Sequence, residues 1–149
     1  MYLDSSTHIY SGRHRTKFGD KKFVLGLSWT PVNCQPEGAV YDVLEAGNIS
    51  GVPTVYRSGI LHSNLFGYRL EFLIMEDCGK SVWSTVESLT MRLIRHDVDD
   101  RFYRLQGRMT DTMQSVCTCL GQAKRAGVLH RDTTPDNITW RGKDTLVIN

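Results

Sequence analysis

Cysteine is scarce. Cys34, Cys78, Cys117 and Cys119 are the four in 149 residues, too few and too irregularly spaced for a disulfide scaffold. Cys117 and Cys119 lie two apart in a predicted helix and so point in divergent directions, which argues against a shared metal; burial as free thiols is expected for at least two of the four. No apolar run approaches the roughly 20 residues needed to span a bilayer. The N-terminal Met-Tyr-Leu-Asp-Ser-Ser-Thr-His lacks the basic and apolar regions of a signal peptide. A membrane is therefore not an expected partner, and the chain reads as intracellular, in cytoplasm or nucleus. Excess charge is missing too: 18 Lys and Arg against 16 Asp and Glu leave +2. With no basic stripe interleaved with aromatics, nucleic acid is not expected as a partner.

What remains, 40% apolar and 23% charged residues, is the composition of a globular protein. Lys22 to Trp29 reads as a strand, with Phe23, Leu25 and Leu27 on one face. Glu37 to Ala46 reads as a short helix after Pro36, stopped by Gly47. Gly51-Val52-Pro53 turns the chain into a strand over Thr54 to Leu61, and a further strand runs from Tyr68 to Met75. Val82, Val86, Leu89 and Leu93 recur at helical spacing. After a polar break at Asp97 to Asp100, Leu105, Met109, Met113, Val116, Leu120 and Ala123 predict a long amphipathic helix with its methionines in the core, ended by Lys124, Arg125 and Gly127. Ile138 to Arg141 and Leu146 to Asn149 predict a hairpin through Gly142.

Between the long helix and that hairpin lies His130-Arg131-Asp132-Thr133-Thr134-Pro135-Asp136-Asn137. An aspartate at the end of a tight loop can accept a hydroxyl proton, and an asparagine five residues later can ligate magnesium on nucleotide phosphates. A solvated turn, with Asp132 and Asp136 capping amides around Pro135, explains the aspartates but not His130, Arg131 and Asn137 together.

This stretch resembles the catalytic loop of protein kinases, and its Thr-Thr-Pro resembles the fungal-type protein kinase family in particular; ordinary serine/threonine kinases carry lysine where this chain has Thr134. The resemblance covers roughly residues 21 to 149. It implies an α+β, protein-kinase-like fold: a small β-rich lobe with one helix over about 21–78, then the first part of a helical large lobe over about 79–149. Residues 1–20 are expected to be a polar segment with an incomplete phosphate-loop region, because the G-x-G-x-x-G spacing of a kinase glycine-rich loop is absent and Gly12 and Gly19 do not supply it.

By the same resemblance the reaction is ATP-dependent phosphorylation of protein Ser/Thr hydroxyls with Mg2+. Asp132 is the base, Asn137 a metal ligand, His130 a brace for the loop, and Arg131 the partner of a phosphorylated activation loop. Met75 sits beside adenine, and Glu76, Asp77 and Cys78 offer it backbone groups. Asn149 occupies the place of the principal metal-binding aspartate, and an amide binds magnesium more weakly than a carboxylate. Glu37 stands where a glutamate pairs with the strand lysine, but Gly26 holds that lysine's place. Lys22 is four residues away, roughly 13 Å along an extended strand. A complete kinase domain is larger, so the chain is expected to be a truncated or degenerate member with impaired activity. Two alternatives stand beside the kinase: a catalytically inactive, pseudokinase-like binding module, and a small-molecule phosphotransferase. The expected partner is a protein substrate or another kinase-like chain.

Overall fold

The computed structural model describes residues 8–16, 19–93, 99–130, 133–141 and 144–147. The chain is α+β, with a four-stranded antiparallel sheet and three helices among those residues. It divides into two compact units: one holds residues 1–46 and 53–77, the other 47–52 and 78–149. No helix of the described residues is long and apolar enough to cross a membrane.

In the first unit, β1 (His8–Thr16), β2 (Gly19–Pro31), β3 (Val55–Leu65) and β4 (Tyr68–Glu76) form a sheet in the order β1-β2-β4-β3, and α1 (Glu37–Ala46) connects β2 to β3. Within the polar segment 1–20, residues 8–16 form a strand that pairs with β2 from His8↔Leu27 to Thr16↔Gly19. Main-chain pairing recruits this stretch although its apolar residues Ile9 and Tyr10 remain exposed, and strand preference depends on such context. β2, β3 and β4 each run past their predicted ends for the same reason.

Along β4 the side chains alternate, and Arg69, Glu71 and Leu73 are buried on the face that carries α1. Arg69 and Glu71 form a buried ion pair. Arg69 also donates to the carbonyls of Val32 (3.1 Å) and Cys34 (2.6 Å), while Glu71 Oε2 accepts the Glu37 main-chain N–H at 3.1 Å. One charged pair therefore ties the β2–α1 turn and the first turn of α1 to the sheet, satisfying a helix-terminal donor that has no partner inside the helix. Close approach of α1 depends on Gly38, where a Cβ would collide with the Ser58 hydroxyl. Tyr41 and Leu44 bury the rest of that helix face. The β3–β4 turn has positive φ at Phe66 (51°) and Gly67 (82°), the signs of a two-residue hairpin turn that matches strand twist.

The second unit contains α2 (Val82–Leu93), α3 (Asp99–Arg125), a one-turn 3-10 helix (Pro135–Asn137) and the antiparallel hairpin β5 (Ile138–Arg141) and β6 (Asp144–Val147). Its core gathers Val82, Val116, Cys119, Ile138 and Trp140, with Leu105, Met109 and Leu120 packed against them. Residues 47–52 join this unit: Gln122 Oε1 accepts the N–H and hydroxyl of Ser50 at 3.2 and 3.1 Å. α3 starts at Asp99, inside the expected polar break. It closes with Gly127 at φ +86°, Val128 N–H donating to Ala123 O (2.9 Å) and Gly127 N–H to Lys124 O (3.0 Å), the paired bonds of a glycine-ended helix.

One expectation about α3 fails. Met113 is 56% exposed, whereas Thr112 is 2% exposed. The buried stripe runs through positions 105, 109, 112, 116, 119 and 123, so at 100° per residue Met113 falls beyond its edge. Thr112 is admitted because its hydroxyl donates to Arg108 O (2.7 Å) and accepts the Trp140 indole N–H (2.7 Å). The second strand of the final hairpin starts earlier than expected, at Asp144 rather than Leu146, and the last two residues of the expected strand lie outside the described residues.

Candidate functional site

Asn137 ends the 3-10 turn that begins with Pro135, and its N–H donates to Thr134 O at 3.0 Å. Thr134 is extended (φ −91°, ψ 158°), as a residue before proline should be. The turn packs on α2 and runs into β5. β5 is held against α3 by the Trp140–Thr112 bond and by the Arg108 guanidinium, 4.1 Å from the Trp140 ring centroid. Asn137 is thus presented at the edge of a packed hairpin and is itself half-buried. His130 is half-buried and engaged by a neighbour. Arg131, Asp132 and Asn149, the expected loop arginine, base and second metal ligand, lie outside the described residues. Among the described residues, no three His, Cys, Asp or Glu side chains gather where they could hold a metal ion.

The adenine-side expectations fall at the end of β4. Met75 is half-buried in register with Val24 and Val55. The N–H of Glu76 donates to Thr54 O (3.0 Å), its carboxylate accepts Thr54 N–H (2.8 Å), and the N–H of Asp77 donates to Lys22 O (3.4 Å). The amide donors of Glu76 and Asp77 are therefore committed within the first unit. Cys78 is buried, in no disulfide, and belongs to the second unit. Cys119 is buried and Cys117 exposed, two positions apart on α3 and facing different ways.

Glu37 opens α1 over a cavity of about 260 Å³, lined also by Ser28, Ser58, Glu71, Phe72 and Leu73. Burial pushes the Glu37 carboxyl above its ordinary value, and the like charge of Glu71 pushes in the same direction. Gly26 lies on the α1 side of the sheet, in register with buried Leu73, and a Cβ there would meet only the Leu73 carbonyl at 3.9 Å. Lys22 falls on the same side by alternation, opposite Arg13 at the far end of β2. Glu37 thus has a carboxylate for its neighbour, and the strand position expected to supply a cation is a glycine.

Sequence reasoning missed the Arg69–Glu71 pair. Its signal was present: two opposite charges at i, i+2 inside the apolar run Tyr68 to Met75 must share one face. No protein-family model and no curated protein matches this chain.

Proposed function

We propose that the chain is a protein-kinase-like domain that works as a binding module and not as a phosphoryl-transfer enzyme. The kinase part of the reading is supported by element order: an antiparallel sheet with one helix between its second and third strands, then two helices, the His130 to Asn137 loop and a short hairpin. The boundary between units, at 77/78, falls at the end of β4.

The single observation behind the non-catalytic part is the Gly26–Glu37 relationship. Phosphoryl transfer depends almost wholly on positioning and charge neutralisation. Nucleotide phosphates would need a cation at the Gly26 position on the α1 side of β2; Gly26 supplies none, and Lys22 on that side is four residues away, roughly 13 Å along the strand. Arg69, the buried cation there, is consumed by Glu71, Val32 and Cys34. Glu37, with Glu71 beside it, adds negative charge. These residues do not fit a bound nucleotide triphosphate, and no catalytic step follows from them. A charge-assisted contact contributes roughly 1.5–3 kcal/mol, so the missing lysine alone weakens binding by about one to two powers of ten.

Calorimetric titration of the chain with Mg-ATP tests this. The expected result is no saturable heat at micromolar nucleotide. Micromolar binding, or phosphate transfer to a protein that disappears in Asp132→Asn, would restore the active kinase.

A further inference from the structure

The four-stranded sheet has a second face, opposite α1. The register pairs Leu25↔Ile74, Leu27↔Phe72 and Trp29↔Leu70 share it. All six residues are only half-buried, whereas Arg69, Glu71 and Leu73 on the α1 face are buried. On this face β2 and β4 nevertheless carry an apolar side chain at each successive position, Leu25, Leu27 and Trp29 on one strand and Leu70, Phe72 and Ile74 on the other. Among the described residues of this unit, only α1 packs on the sheet, and it does so on the other side.

Two features prepare this face for a partner. It is level: the Phe23 ring occupies the space a Cβ on Gly12 of β1 would need, and the Phe72 ring lies 2.7 Å from where a Cβ on Gly59 of β3 would stand. Each ring therefore lies across its neighbouring strand. The face is also charged at one end. Lys21, which shares the Phe23 face by alternation, and Arg57, in register with Ile74, are both exposed. Lys21 is 5.9 Å from the Tyr56 ring centroid. The carboxylate at that end, Glu76, is held by the Thr54 N–H.

We propose that this sheet face is a docking surface for an amphipathic helix of a partner protein, with an apolar stripe over Leu25, Leu27, Phe72 and Ile74 and acidic residues against Lys21 and Arg57. An apolar centre with a polar rim is the ordinary anatomy of a protein interface. Phe23 to Trp29 spans six strand steps, about 20 Å, which a helix of roughly 13–14 residues matches. A second copy of this chain would bring the same Lys21 and Arg57 to the interface, and among the described residues the carboxylate at that end of the face, Glu76, is already held by Thr54. A single-stranded nucleic acid needs cations along its whole track and ring faces for its bases, but here the cations sit at one end and the centre is largely aliphatic. The inference does not rest on the catalytic reading, because that reading concerns the α1 face.

Fluorescence anisotropy with the full chain tests it. One labelled peptide of about 14 residues carries leucines at i, i+3, i+4 and i+7 with glutamates elsewhere; a second replaces those glutamates with lysines. The glutamate peptide is expected to bind and the lysine peptide not. Lys21→Glu with Arg57→Glu, both exposed positions that leave the core untouched, is expected to weaken binding by about tenfold or more. Leu27→Ser, checked for folding by circular dichroism, is expected to abolish it. Equal binding of both peptides, indifference to the charge-reversal pair, no peptide binding at all, a dimer in sedimentation that Leu27→Ser dissolves, or binding of oligothymidylate in place of the peptide would each overturn the proposal.

Discussion

Glu71 accepts the main-chain N–H of Glu37 at 3.1 Å while setting a like charge beside the Glu37 carboxyl. The same side chain that fixes the start of α1 therefore makes ionisation of the first residue of α1 unfavourable, and the tension should be visible in how stability depends on pH.

The folded-state pKa of Glu37 is raised, chiefly by burial and then by Glu71. Stability linked to this group is complete below its ordinary value of 4.5 and is lost as pH rises through the higher folded value. Glu37→Gln should therefore be more stable than the parent at pH 7, with the advantage shrinking as pH falls toward 4.5. Urea melts of both proteins across that range would show it; a parallel pair of curves would remove Glu37 from the account.

Breaking the Arg69–Glu71 pair should be costly because each partner is buried. Arg69→Met or Glu71→Met alone is expected to cost about 3–5 kcal/mol, since it strands the other charge. The double substitution should recover much of that loss, as apolar replacements of buried ion pairs often do. It still loses the Glu71 contact with α1, so recovery should be incomplete. A double-mutant cycle in urea gives the coupling directly, and additive losses would contradict it.

These residues also mark where sequence reasoning reached its limit. α1, α2 and the glycine-ended α3 were legible because periodicity and end signals such as Pro36 and Gly127 are local. The extent of β1 was not legible: it is set by pairing with β2, a non-local cause. Neither was the neighbour of Glu37. Its place at the head of α1 could be read from the sequence, but the partner across the sheet is a carboxylate contributed from β4. Met113 gave up its expected core place, and Thr112 is buried beside it because its hydroxyl finds two hydrogen-bond partners inside.

Thr112→Val tests that last point. Valine keeps the approximate volume but leaves the Trp140 indole N–H buried without its acceptor at position 112. A buried polar group stripped of its partner costs about 1–3 kcal/mol. The loss should appear in chemical melts, together with a change in Trp140 fluorescence. Thr112→Ser, which retains the hydroxyl, should recover most of it. If valine and serine behave alike, the bond contributes little.

Gly26 offers the most direct test of the phosphate argument. Because a Cβ there would meet only the Leu73 carbonyl at 3.9 Å, Gly26→Lys should fold, with stability within about 1 kcal/mol of the parent, the span of strand preferences. Replacing glycine removes the entropic penalty of its free backbone in a strand, and this partly offsets the burial of the new stem. The added ammonium would stand on the α1 side of β2, where it would meet the negative field of Glu37 and Glu71. Their attraction should lower the raised Glu37 pKa and flatten the pH dependence described above. Mg-ATP should gain affinity in Gly26→Lys, and Gly26→Met should fold equally well but gain none, which separates charge from bulk. If lysine and methionine give the same nucleotide titration, the missing cation is not what keeps ATP away.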